Sequence, residues 1–292
     1  MTTTIAVVAQ GEMGSATGRR LVERGARVIT SLAGRSAASK TRAEKAGMVV
    51  VDSDDELVKA DFFLSIVPPG DAVAMAKRLT PALGRAAKKP VYVDCNAVAP
   101  ETAVEVGNVL AATGCPYVDG GIIGPPPGPS LRTIFYASGP AAKDFEKLSV
   151  HGLVIRLVDG PIGAASAMKM SYAGITKGFT AIGAAMMIGA ARNGTAAALH
   201  QEMLESQPHL LEWLSRQVPR MFSKAYRFVG EMEEIGEFLK DVPAGSDMYN
   251  AIADLYRHIA EVQDAERKPD DDISHMSRFC STNTPAPTRK SA

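Results

Sequence analysis

The sequence predicts an α/β domain built on a doubly wound, mostly parallel sheet, then a long connecting helix and an all-α domain. Three observations carry this. Short apolar runs alternate with helical stretches through the first half of the chain, the signature of βαβ units. Residues 160–191 then form a long run of small and apolar side chains with no acid and only two lysines, Lys169 and Lys177. Beyond that run the strand pattern vanishes and helical periodicity takes over. A chain of 292 residues fills two domains, placed at 1–159 and 160–266. Residues 267–292 turn to charge, Ser, Thr and Pro, and are expected to be a mobile tail.

The elements follow in order. Residues 4–9 (TIAVVA) make the first strand, a helical pattern spans 15–24, and a second strand follows at 26–31 (ARVITS). Strand-like runs recur at 48–51, 61–67, 90–94 and 115–119, with helical stretches at 71–79 and 100–113 among them. Two more, at 133–138 and 153–158, flank a helix at 141–148 and would extend the sheet at one edge. The second half reads as helices at about 196–206, 208–223, 226–240 and 246–266, broken at Pro208, Gly230 and residues 242–245. A helix apolar on all sides is normally buried. Residues 160–191 are therefore expected as a core helix, not a membrane span.

Composition excludes several function classes. Thirty-two basic and thirty-two acidic residues cancel, so no general attraction to nucleic acid or to an anionic membrane is expected. Cys95, Cys115 and Cys280 are sparse and odd in number, and the five histidines are scattered, so neither disulfides nor a metal site is expected. The N-terminus lacks a basic start followed by a long apolar core and does not read as a signal peptide. A soluble, cytoplasmic protein is the expectation.

The first strand runs into Ala9-Gln10-Gly11-Glu12-Met13-Gly14 and then a helix. Dinucleotide-binding folds of the Rossmann type need small residues at this turn, so that the backbone can approach a pyrophosphate at the helix N-terminus. Gly11 and Gly14 are in place, although Ala9 stands where the fingerprint has its first glycine. Selectivity is read at the end of the second strand, where a carboxylate would grip the ribose of NAD. This chain has Thr30-Ser31-Leu32-Ala33-Gly34-Arg35-Ser36, with no acid. Arg35, with the Ser31 and Ser36 hydroxyls, suits a 2′-phosphate, so NADP(H) is favoured over NAD(H).

Lys169 is the best pointer to chemistry. Desolvation lowers a lysine pKa and fits the amine for proton transfer near neutral pH; a stem that packs while the amine reaches water is the alternative. Residues three and seven further along share its helix face, which puts Lys169, Tyr172 and Thr176 on one stripe.

With these pieces together, the sequence resembles the β-hydroxyacid dehydrogenase family, which shares its fold with 6-phosphogluconate dehydrogenase. The likeness covers most of the first 180 residues. It rests on Gly11-Glu12-Met13-Gly14, Ser65-Ile66-Val67-Pro68-Pro69, Asp94-Cys95-Asn96-Ala97-Val98-Ala99-Pro100, and Asp119-Gly120-Gly121-Ile122-Ile123-Gly124-Pro125. A looser match follows at Pro161-Ile162-Gly163-Ala164-Ala165-Ser166-Ala167-Met168-Lys169. The resemblance implies cofactor contacts at Gly11, Glu12, Met13, Gly14, Val67, Pro68, Pro69 and Asn96, and a substrate loop carrying Gly121, Ile122, Ile123 and Gly124, with Asn96 beside it; Thr176, on the Lys169 stripe, is a further candidate for the substrate. It implies hydride transfer between a hydroxy compound and its oxo form, with Lys169 as general acid and base.

Departures qualify that expectation. Ala173 stands where the family has an asparagine, leaving Tyr172 as the candidate to hold the substrate oxygen. Ile123 replaces a serine that would bind a carboxylate. The acidic residues Glu231, Glu233 and Glu234 read as a solvated helix face, and Pro125-Pro126-Pro127-Gly128-Pro129 as a rigid loop beside the pocket. Two other functions stay open: imine reduction on the same fold, and an NADP-binding sensor without turnover. A homodimer burying the long apolar helix is expected.

Overall fold

The computed structural model describes residues 2–128, 132–266 and 268–282. The chain divides into two compact units, residues 1–170 and 171–292, so the division falls inside the long helix, eleven residues beyond the 159/160 boundary read from the sequence.

The first unit holds eight strands: β1 (Thr4–Val8), β2 (Arg27–Thr30), β3 (Val49–Val50), β4 (Phe62–Ser65), β5 (Val91–Asp94), β6 (Tyr117–Ile123), β7 (Ile134–Ser138) and β8 (Val154–Leu157). They form one sheet in the order β3-β2-β1-β4-β5-β6-β7-β8. Every pairing is parallel except β6 with β7. The helices α1 (Glu12–Glu23), α2 (Ala37–Lys45), α3 (Asp54–Leu57), α4 (Ala72–Arg85), α5 (Pro100–Ala111) and α6 (Ala142–Glu146) connect them. Two buried apolar clusters form the core: one holds Phe63, Leu79, Leu83, Tyr92, Val106 and Tyr117, the other Ile5, Leu21, Leu64, Val93, Val118 and Phe135. Neighbours in sequence such as Tyr92 and Val93 go to different clusters because side chains alternate across a strand. The order in which strands are added reverses at β1: β2 and β3 lie on one side of it, and β4 onward on the other. That is the switch point at which open α/β sheets take ligands, beyond the carboxyl ends of their strands.

The long helix α7 (Ala164–Arg192) begins in this unit and continues into the second. Its small residues face inward within the second unit. A Cβ on Gly174 or Gly178 would lie 2.9 or 3.2 Å from the Tyr249 hydroxyl, and one on Gly183 would lie 2.5 Å from Leu214. The large residues face outward: Tyr172, Ile175, Phe179, Ile182 and Met186 are all about half exposed. The expectation of a helix buried all round is corrected here. By length and composition alone α7 could cross a membrane, but its glycine face is occupied by neighbouring helices of the unit.

The rest of the second unit is α8 (Ala196–Ser206), α9 (Pro208–Met221), α10 (Ala225–Phe238), α11 (Gly245–Asp264) and α12 (Asp272–Ser281). Gly230 does not break its helix, because α10 packs along α11. Met232, Ile235 and Gly236 are buried, and a Cβ on Gly236 would meet the Asn250 side chain at 3.1 Å. The actual break is a single 3₁₀ turn at Phe222–Lys224.

The tail expected over 267–292 also needs correction. Arg267 and residues 283–292 lie outside the described residues, but α12 occupies part of what remains. Asp271 caps it by accepting from Ser274 N at 2.7 Å, and Ile273, Met276 and Phe279 are buried. Asp272 accepts two hydrogen bonds from Arg192 and one contact from His258 at 2.7 Å. Burial alone would raise the Asp272 carboxyl, but hydrogen bonds from His258 and Arg192 outweigh it and hold it below the usual range. A run of charge that reads as a solvated tail is here a cap and a clamp.

Candidate active site

The turn after β1 has the shape a pyrophosphate needs. Gly11 is the N-cap of α1, with no side chain spent on the helix end, and a Cβ there would meet nothing within 4 Å. The first-turn N–H groups and the positive end of the helix dipole are thus open to an anion. Gly14 is the opposite case: a Cβ would sit 1.7 Å from the Ala9 carbonyl oxygen, so only glycine fits. Glu12 is exposed and Met13 half-buried beside them. Gln10 is fully buried and ties the turn to β2, donating to the Thr30 hydroxyl and to the Ser31 carbonyl at 3.2 Å. These residues fit a dinucleotide.

At the end of β2, Ser31 is buried, Arg35 half-buried and Ser36 exposed as the N-cap of α2. No acid stands among them. The sequence reading passed over Arg42, which reaches back from α2 to the Gln10 carbonyl (2.8 Å) and the Ser39 hydroxyl (3.1 Å). Its spacing from the glycine turn gave no signal, since only the packing of α2 brings it there.

The lysine end is built from the carboxyl termini of β4, β5 and β6. Phe63, Tyr92 and Tyr117 lie side by side in register, and Tyr92 pairs with Tyr117 as Asp94 pairs with Asp119. β5 ends and β6 begins in Tyr-Val-Asp, and parallel pairing sets the two carboxyls next to one another on one face. Asp119 is completely buried and accepts five hydrogen bonds. Its Oδ2 takes the N–H groups of Gly163 (2.9 Å), Ala165 (3.0 Å) and Ser166 (3.1 Å) and the Ser138 hydroxyl (2.9 Å); its Oδ1 takes the Ser166 hydroxyl (2.6 Å). The carboxylate thereby caps α7 from another strand and faces its positive end. Gly163 reaches it with φ +100°, in the left-handed region that favours glycine, which explains the glycine ahead of the lysine.

Lys169 follows in the second turn of α7. It is half-buried, and its Nζ donates to the Asn96 carbonyl at 3.3 Å. Gly121 makes room for its stem, since a Cβ there would lie 3.2 Å from the Lys169 Cβ and 3.1 Å from the Ala165 carbonyl. Asn96 spends its side chain inside the protein, accepting from Val67 N at 2.7 Å and donating to the Ser65 hydroxyl at 3.1 Å. It braces the loop of Val67, Pro68 and Pro69 and offers its main-chain oxygen to the lysine.

Several expectations change in detail. The substrate loop read at 119–125 is strand as far as Ile123, where Gly121, Ile122 and Ile123 pair with Tyr136, Phe135 and Ile134 of β7. Gly124 alone turns the chain away, at φ +116°. Pro125 accepts the Thr133 hydroxyl at 2.5 Å; Pro129 lies outside the described residues. In the second unit the Thr176 hydroxyl donates back to the Tyr172 carbonyl at 2.9 Å. Tyr172 opens the exposed stripe of α7. Glu231 is no solvated residue: it pairs with Lys177, whose ammonium lies 4.4 Å from the Phe228 ring centre, and Glu233 pairs with Arg257. All three thiols are free, and burial pushes Cys115 and Cys280 up to about 11, so neither is a nucleophile at neutral pH.

The sequence pattern of the NAD binding domain of 6-phosphogluconate dehydrogenase matches residues 4–150, half of the chain. The chain belongs to this family. It is accordingly an NAD(P)-dependent oxidoreductase of the hydroxyacid dehydrogenase kind. A domain of unknown function, DUF1932, matches residues 190–259 of the helical unit.

Solved structures agree in fold. Conserved protein MTH1747, described as structurally similar to 3-hydroxyacid dehydrogenases, is 27% identical with a TM-score of 0.71, covering 91% of this chain and all of the other. The 3-hydroxyisobutyrate dehydrogenase of Mycobacterium tuberculosis, solved with L-serine, is 19% identical with a TM-score of 0.73, over 97% and 100% of the two chains. An imine reductase of Myxococcus stipitatus, solved with NADP+, is 19% identical at a TM-score of 0.52, over 96% and 99%. A variant of it was solved with NAD+, at 21% identity and a TM-score of 0.53 over the same shares.

Proposed function

We propose that the protein uses NADP(H) to interconvert a small β-hydroxyacid-like compound and its oxo form, with Lys169 carrying the proton. The observation behind this reading is the placement of Lys169. Its amine is held on the Asn96 carbonyl at the carboxyl end of β5, in the same unit as the Gly11–Gly14 turn. The nicotinamide group, when bound at that turn, supplies or accepts hydride. Gly11 and Gly14 admit its pyrophosphate, and Ser31, Arg35 and Ser36 favour a 2′-phosphate over a bare ribose. Lys169 donates a proton to the substrate oxygen in reduction and takes it back in oxidation. A proton-carrying amine needs a fixed acceptor to aim it, and the Asn96 carbonyl is one. Three free thiols, two of them enclosed, suit a reducing, cytoplasmic setting.

Turnover of NADPH and NADH with aldehydes, keto acids and imines tests the reading. Oxo acids with NADPH are the expected substrates, and Lys169→Ala is expected to lose 10²- to 10⁴-fold in turnover, on the order of a general acid's contribution, with nucleotide binding retained. Full turnover by Lys169→Ala overturns the assignment, and imine reduction alone favours the second chemistry.

The partner we infer for α7 is a second copy of this chain. Tyr172, Ile175, Phe179, Ile182 and Met186 are spaced alternately three and four apart with no charge among them. That is the seam of knobs-into-holes helix pairing. Phe179→Glu is expected to give a monomer by light scattering where the unsubstituted protein is a dimer.

A further inference from the structure

Asp94 has no place in the chemistry described so far, yet it is nearly the most enclosed charged side chain of the first unit, at 1% exposure. Its Oδ1 accepts a single hydrogen bond, from Asn96 N at 3.0 Å. Its Oδ2 has no hydrogen-bond partner among the described residues. A buried carboxylate left in this condition is costly, unlike Asp119 one strand away. The Asn96 residue that donates to Asp94 is the one whose carbonyl holds Lys169. One residue therefore touches both groups, through its two main-chain atoms.

The geometry points to Asp94 as a positioning residue for the Lys169 proton: a buried carboxyl, linked to the amine through the Asn96 backbone, whose charge sets the basicity of that amine. This rests on the reading of Lys169 as proton carrier.

The surroundings support it. Among the described residues, the titratable and charged groups around Asp94 are Tyr92 on β5, Cys95 just after it, Tyr117 and Asp119 on β6, and Lys169 on α7. Desolvation is the largest influence on Asp94, and the Asp119 charge adds to it; the Asn96 N–H and Lys169 oppose them, and the carboxyl is raised to about 7. Burial likewise pushes Tyr92, Tyr117 and Cys95 up, so they stay neutral. Lys169 is the one positive group in this set. When Asp94 is neutral the ammonium loses a counter-charge and gives up its proton more readily; when Asp94 ionises the proton is held. The amine and the carboxyl then titrate as a pair.

The test reads Lys169 directly and needs no turnover. An amine-acylating reagent is applied to the full chain across pH, and labelling of Lys169 is quantified by peptide mass spectrometry. Asp94→Asn and Asp94→Ser each keep an acceptor for Asn96 N while removing the charge. In either variant that keeps the near-ultraviolet circular dichroism of the folded protein, the labelling midpoint of Lys169 is expected to fall by about one pH unit. An unchanged midpoint overturns the inference. Should neither variant fold, the unsubstituted protein decides: Lys169 labelling is expected to bend near pH 7, and a single smooth titration overturns it. Turnover by Lys169→Ala bears on the proton-carrier reading alone, so the two failures are distinguishable.

Discussion

Asp94 and Asp119 stand in register on adjacent strands, each at the end of a Tyr-Val-Asp sequence, and their surroundings are opposite. Asp119 accepts five hydrogen bonds and faces the start of α7; Asp94 accepts one and leaves an oxygen unpartnered among the described residues. The same residue type on the same face of the same sheet thus becomes a structural anchor in one place and a titrating group in the other. What differs is the supply of donors. The start of α7 gives three N–H groups to Asp119, whereas Asp94 receives only the Asn96 N–H. Stability and tuning have been divided between two carboxyls one strand apart.

Breaking the anchor is expected to have the largest effect. Asp119→Ala takes the acceptor from the Gly163 and Ser166 N–H groups and from two hydroxyls in the interior, and leaves the Ala165 N–H only the Ser138 hydroxyl. It should cost about 3 to 5 kcal/mol in urea unfolding, through loss of the buried network. A loss under 1 kcal/mol would show that α7 is held by packing instead.

The tuned carboxyl should behave differently with pH. Asp94 binds its proton more tightly in the folded chain than unfolded, since the carboxyl is raised to about 7. Its contribution to stability is present at low pH and is lost as pH rises from about 4 to about 7. Asp94→Asn escapes that loss, so it should gain on the unsubstituted protein by on the order of 4 kcal/mol across the window and stay level above it. Parallel stability curves for the two proteins would contradict the contrast with Asp119.

Gly121 sharpens the comparison from the lysine's side. Gly121→Ala puts a Cβ against the Lys169 stem, and the displaced amine should lose on the order of tenfold in turnover with nucleotide affinity unchanged. Equal losses in both would place the strain at the cofactor turn.

Much of the fold was legible in the sequence. The alternation of apolar runs and helical stretches locates all eight strands and most helices, because strand and helix periodicities are local properties. The glycine turn was legible for a similar reason, since Gly14 is forced by a clash with Ala9 five residues away. Less visible was α12, whose apolar residues at 273, 276 and 279 are too few to stand out from a charged run. The helix is also tied by Asp272 to Arg192, 80 residues earlier, a partner no local pattern announces. Residues 119–123 read as loop and are strand, which is settled by β7 returning antiparallel beside them. Asp94 and Asp119 could have been noticed from their matching Tyr-Val-Asp segments, but their opposite roles could not.

By itself, then, the sequence determined the order of the elements, the glycine turn after β1, and the presence of Lys169 in an apolar helix, all consequences of short-range periodicity and steric need. The tertiary structure decided which face of α7 is covered, which carboxyl caps it, and what holds the lysine amine. Those outcomes depend on hydrogen bonds such as Ser166 to Asp119 and Lys169 to Asn96, across 47 and 73 residues, and only the packing of strands and helix ends brings such partners together.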